Sequence, residues 1–243
     1  MYTRMQWMVL TAAMALSVAP GWSQEGNFRR ILRFEVKPDM LSEFTAAVKA
    51  DKEAMTKAGY KRAQTWWRAT TGSNEVILVR YYKSYADMES TEKPDSAVSL
   101  ARARVMRCAS STETVIDEIM PEASTAVDRS KLPQYLRALR TTVKPERMAD
   151  FEKWIRGEVG PIVKKASFPL YLSSRVRYGK TVNQFTSVMG MASMAEFDGP
   201  VGISKAMSKA DYDALMVKYT SMISHSEITI YRAMSDLNYL PQQ

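Results

Sequence analysis

The stretch Leu32-Arg33-Phe34-Glu35-Val36-Lys37-Pro38-Asp39-Met40-Leu41-Ser42-Glu43-Phe44 returns 107 residues later as Leu139-Arg140-Thr141-Thr142-Val143-Lys144-Pro145-Glu146-Arg147-Met148-Ala149-Asp150-Phe151. Val-Lys-Pro recurs, the apolar positions match, and Phe44 falls on Phe151. Self-similarity at a fixed spacing is the mark of a repeated structural unit. Further along, Ser84-Tyr85-Ala86-Asp87-Met88 resembles Ser193-Met194-Ala195-Glu196-Phe197, and Glu113-Thr114-Val115-Ile116 resembles Glu227-Ile228-Thr229-Ile230. The spacing there grows to 109 and then 114 residues, as small loop insertions would produce.

Within each copy the order of elements can be read locally. Ile31 to Val36 alternates with the β-branched and aromatic bias of a strand, and Pro38, lacking an N–H, ends its ladder. Asp39 is placed to cap the helix that follows. From Met40 to Lys57 the residues Leu41, Phe44, Val48 and Met55 recur at helical spacing, and Met148, Phe151, Ile155 and Ile162 do so in the second copy. Gly59 ends the first of these helices. Arg62 to Thr70 and Glu75 to Tyr82 then form a hairpin around Gly72-Ser73-Asn74, a helical region follows over Tyr85 to Cys108, and Glu113 to Met120 is the last strand. The order βαββαβ is that of a ferredoxin-like unit.

Tandem units of this kind, with a Lys-Pro step into the first helix and a Ser-x-x-(Asp/Glu) segment after the third strand, resemble the dimeric α+β barrel superfamily. Its members include the antibiotic-biosynthesis-monooxygenase-like and NIPSNAP-like domains. The resemblance spans residues 28 to 241. It implies an α+β fold in which two ferredoxin-like units, residues 28–127 and 135–241 with a linker at 128–134, pack sheet against sheet as a pseudo-dimer within one chain. It also implies a ligand cavity between the sheets, or between a sheet and its helices.

Composition narrows the chemistry. The 243 residues include one His, His225, and one Cys, Cys108, so a zinc site, a disulfide framework or a Cys/His dyad is not expected. Cys108 ends a helical stretch and reads as a small core residue. Several of the 17 methionines lie in the first segment or at helical spacing, and the clustered Met-x-x-Met pairs beside His that a copper site would show are missing. Arg4 followed by the apolar run Met8 to Ala19 and by Gly21 and Ser23 has the order of an export signal, with cleavage after Ser23. A dozen apolar residues are too few to span a bilayer, which takes about 20. The expected product is an exported protein, periplasmic or extracellular, with no stable membrane insertion. Loss of Arg4 lowers its net charge from +8 to +7. The lysines and arginines are scattered, and no nucleic-acid module is present.

Strand alternation nominates the functional side chains. Ile31, Arg33 and Glu35 are expected inside the barrel, with Ala138, Arg140 and Thr142 as their counterparts. Trp66 and Arg68 are assigned inward on the second strand, with Ser173 and Arg175 matching them. Arg33, Arg68, Arg140 and Arg175 would then make an anion-binding interior, or pair with Glu113, Asp117 and Glu227 as a structural network. Trp66 could stack on a planar ligand or fill the interface between the sheets. His225 stands near the start of the last strand where the first copy has Ser111, either as a proton donor or haem ligand or as an exposed turn residue. No Ser/His/Asp arrangement, phosphate loop or paired catalytic carboxylates is present. The expected function is therefore that of a scaffold module or of a module binding a small organic anion or an apolar small molecule, without a cofactor, in a protein that could self-associate. The alternative implied by the superfamily is a cofactor-independent monooxygenase or a haem-degrading enzyme, the latter bringing haem as cofactor.

Overall fold

A computed structural model describes residues 26–89, 95–125, 131–166 and 168–241. The expected leader and residues 128–130 of the linker lie outside them. The first half runs β1 (Phe28–Val36), α1 (Leu41–Lys57), β2 (Thr65–Ala69), β3 (Glu75–Tyr82), α2 (Tyr85–Glu89), α3 (Ser96–Arg107) and β4 (Ala109–Ile119). The second runs β5 (Tyr135–Val143), α4 (Met148–Trp154), α5 (Gly160–Ala166), β6 (Tyr171–Tyr178), β7 (Gln184–Met191), α6 (Lys209–Met222) and β8 (Ile223–Ala233). A π-helical turn, Ile155–Val159, joins α4 to α5.

Eight antiparallel strands close into one barrel in the order β1-β3-β2-β8-β5-β7-β6-β4. Each half contributes four strands in the same order, β4-β1-β3-β2 and β8-β5-β7-β6. The two sheets do more than face each other, because edge strand β2 hydrogen-bonds β8 and β6 hydrogen-bonds β4. Closure removes the free sheet edges that would otherwise invite association. Among the described residues no helix is long and apolar enough to cross a membrane.

The recurring Val-Lys-Pro has a local reason. Lys37 Nζ donates to the carbonyl of Arg107 at the end of α3, and Lys144 Nζ donates to that of Ser221 near the end of α6, both at 2.9 Å. A cation suits a helix C-terminus, where unpaired carbonyls gather. The shared Ser-x-x-acid segments also match in structure, since Asp87 accepts from the Lys83 N–H at 2.8 Å and Glu196 from the Ala192 N–H at 2.7 Å. Asp39 does not cap α1. Met40 occupies that position with no side-chain bond, whereas Asp95 caps α3 by accepting from the Ala97 N–H.

Both faces of the sheets are covered. Outside the barrel, Phe34, Val36, Phe44, Val48, Trp66 and Val105 pack the first half's sheet against α1 and α3, and Val143, Phe151, Ile155, Phe185 and Tyr219 do the same for the second. Inside, Ile31, Trp67, Ile77, Val79, Val115, Leu136, Leu172, Val188 and Tyr231 form a separate core.

Candidate functional site

The barrel axis is the site. A cavity of about 70 Å³ lies there, room for about five water molecules. Ile31, Trp67, Ile77, Val79, Leu136, Ala138, Leu172 and Val188 make its walls, and Arg29, Arg33, Thr65, Tyr81, Arg140, Thr186 and Tyr231 supply its polar groups. Ala63, Leu132, Leu170 and Leu240, from segments before β2, β5 and β6 and after β8, give it an apolar end.

Alternation places Arg33 and Arg140 inside as expected, and β1 and β5 keep matching phases. Arg140 Nη1 donates to Glu75 and to the Tyr231 hydroxyl, both at 3.3 Å, while Nη2 reaches Glu227 at 3.0 Å and Thr229 at 2.9 Å. Its Nε is buried and has no acceptor among the described residues. Burial opposes the Arg140 charge, but Tyr231, Glu75 and Glu227 more than offset it and hold the group above its ordinary value. The Tyr231 hydroxyl donates to Glu75 in a short contact. Burial pushes that phenol well above its usual range, Arg140 opposes the shift, and Glu75 adds to it. Arg33 meets Glu113 at 3.3 Å.

A second buried pair closes the β4–β6 seam. Arg29 binds both oxygens of Asp117, at 3.0 and 2.5 Å, and Ser174 Oγ donates to Asp117 at 2.6 Å. The two charged side chains are 4% and 1% exposed, deep enough that removal of either would strand the other. Burial works against the Arg29 charge and Asp117 restores it, leaving Arg29 above its ordinary value.

The phase expected for β2 and β6 is inverted in the structure. Trp66 lies beneath α1, its ring 5.7 Å from that of Phe34 and 5.8 Å from that of Phe44, and Trp67 takes the barrel position, its Nε1 donating to Thr65 at 3.0 Å. Arg68 follows Trp66 to the outer face, beside the Gly72–Asn74 turn and Arg232. Arg175 is likewise outside, bound to Glu152 at 2.7 Å. Trp66 and Trp67 are both buried, on opposite faces of β2, and each face carries one indole and one polar residue, so Thr65-Trp66-Trp67-Arg68-Ala69 does not set its own phase. His225 pairs with Thr142 near the start of β8, where it is exposed and does not line the cavity. Cys108 is buried and free, as its position suggested. Sequence reading missed Trp67 as a wall residue, Arg29, and above all Glu75. The alternation Glu75-x-Ile77-x-Val79-x-Tyr81 would have placed Glu75 inside.

The cavity does not fit a haem. Among the described residues no His, Cys or Met lines it, its two tyrosines are engaged, Tyr231 by Glu75 and Tyr81 beside Arg29, and a pocket for a molecule of that size runs to several hundred Å³. Among the described residues no cluster of three His, Cys, Asp or Glu side chains could hold a metal ion.

Two four-stranded halves with βαββαβ order, closed edge to edge about a common interior, decide the fold. It is the dimeric α+β barrel, with both halves on one chain. No protein-family model and no curated relative matches the sequence. Among solved structures, the barrel is similar to a candidate monooxygenase from Fusobacterium nucleatum, at 14% identity and TM-score 0.62 over 86% of this chain and 92% of that one. It is also similar to an anthrone oxidase-like protein, at 10% identity and TM-score 0.58 over 87% and 93%. A third, described as a candidate chlorite dismutase, aligns at 14% identity and TM-score 0.51 over 86% and 95%.

Proposed function

We propose that this barrel binds one small, neutral, largely apolar molecule along its axis. The observation that carries the reading is that Arg29, Arg33 and Arg140 already hold carboxylates while the rest of the wall, apart from the uncharged Thr65, Tyr81, Thr186 and Tyr231, is aliphatic or indole. An incoming anion would have to compete with Asp117, Glu113, Glu75 or Glu227 for its guanidinium, and a neutral ligand meets no such competitor. Its polar atom would face Arg140 and Tyr231, its body the wall of Trp67, Ile77 and Val79, and any excess length the end lined by Leu132, Leu170 and Leu240. Export after removal of residues 1–23 belongs to the same proposal, and N-terminal sequencing of protein recovered from its host tests it.

Phenol and benzoate separate the neutral from the anionic ligand at nearly equal size. Calorimetric titration should give saturable phenol binding at least tenfold tighter than benzoate. Tighter benzoate binding would return the interior to the anion reading.

Oxidation of such a molecule by dioxygen is a second reading. It is favoured by the Tyr231–Glu75 hydrogen bond at the cavity wall, a phenol and a carboxylate able to pass one proton, and by the likeness to the candidate monooxygenase and the anthrone oxidase-like protein. A three-ring anthrone exceeds the cavity as it stands, so the substrate would be smaller. Dioxygen uptake on adding phenols to the purified protein tests this reading.

A further inference from the structure

On the outer face of the first half's sheet, two arginines stand side by side. Arg30 on β1 is the cross-strand partner of Arg80 on β3, and since Arg29 and Ile31 line the barrel cavity, Arg30 points the opposite way. Like charges directly across a strand pair repel. At the corresponding register of the second half, Arg137 faces Met189, so the doubled charge belongs to the first half alone.

The surroundings neutralise the pair only in part, since the charge of Asp51 favours that of Arg80 but its ion pair is with Arg102. Arg80 spends its Nε and Nη2 donors on one neutral acceptor, Gln64 Oε1, at 3.0 and 2.7 Å. Arg30 Nε is buried without an acceptor among the described residues. The nearby carboxylates are engaged elsewhere: Asp51 with Arg102 at 3.3 Å and with the Gln64 amide at 3.4 Å, and Asp87 with Arg62 at 2.7 Å. Two further donors in this layer, the hydroxyls of Tyr60 and Tyr82, are buried and unpaired among the described residues. Burial, and the charge of Arg102, hold Arg80 below its ordinary value.

We infer that Arg30 and Arg80 form a site for a phosphate dianion, distinct from the barrel cavity and on the other face of the sheet. Two guanidiniums that make no salt bridge among the described residues match the charge of about −2 that a phosphate group carries near neutral pH. Their planar forks also suit its oxygens, and hydroxyl donors such as Tyr82 could complete the set.

Inorganic phosphate, titrated at constant ionic strength against sodium chloride, is the probe, with thermal melting and phosphorus NMR linewidth as readouts. Wild type should gain stability saturably with phosphate, as a ligand that binds only the folded state requires. Arg30→Gln removes one cation that makes no hydrogen bond among the described residues, so it should fold at least as well as wild type without phosphate and bind phosphate at least tenfold more weakly. Arg80→Lys, which keeps the charge and loses the fork, should fall between. Phenyl phosphate and phosphatidate vesicles distinguish a soluble monoester from a lipid headgroup, and binding of either that Arg30→Gln weakens supports the site. Equal stabilisation of wild type and Arg30→Gln by phosphate, or no binding of any of the three probes, would overturn it.

Discussion

Arg140, on the first strand of the second half, reaches Glu75, on the third strand of the first half, at 3.3 Å. The contact joins the halves through the barrel interior, and Glu227 on the neighbouring β8 completes the grip on the same guanidinium. The polar side of the cavity is thus built by both halves together. Exchanging Glu75 for Gln should weaken the hold on Tyr231 and Arg140 without emptying it, because Glu227 remains. A loss of about 1–3 kcal/mol in urea unfolding is expected.

The Arg29–Asp117 pair is the more demanding of the two. At 4% and 1% exposure the partners are almost fully buried, so Asp117→Asn should cost about 3–5 kcal/mol by leaving a buried cation unpaired. The double replacement Arg29→Met with Asp117→Leu should recover most of that loss. Urea denaturation of the three proteins checks both statements, and equal losses in single and double variants would contradict them.

Lys37 and Lys144 offer a matched pair of tests. Each caps the helix before the last strand of its own half at the same distance, so Lys37→Met and Lys144→Met should each cost about 0.3–1 kcal/mol. The two losses should agree, and both should shrink in high salt.

Tyr231 should shape the alkaline limb of stability. Its folded value lies above the ordinary value of about 10, so the unfolded chain releases this proton first. The contribution is complete below pH 10 and is lost as pH rises from there toward the folded value. Tyr231→Phe should therefore flatten the fall in stability above pH 10 relative to wild type, measured by urea titrations from pH 8 to 11.

The two matching Val-Lys-Pro segments made the architecture legible, since the halves that follow them have the same strand order and use the lysine in the same turn. Val-Lys-Pro is the example, its lysine doing the same work twice. β1 and β5 were also readable, because Arg33 and Arg140 stand out against apolar neighbours. Trp66 and Trp67 were not, since each face of β2 carries one indole and one polar residue, and Arg68 and Arg175 inherited the error through the repeat. Glu75 escaped notice for another reason: its partner Arg140 lies 65 residues away on the other half, and only closure of the barrel brings them together.

The placement of the two indoles gives the most direct test of a ligand inside the barrel. Protein labelled with 5-fluorotryptophan, its resonances assigned with Trp66→Phe and Trp67→Phe, would be titrated with phenol and followed by fluorine NMR. A saturable shift at Trp67, with Trp66 beneath α1 unmoved, is the predicted result. A Trp67 resonance that stays fixed through saturating phenol would contradict the account.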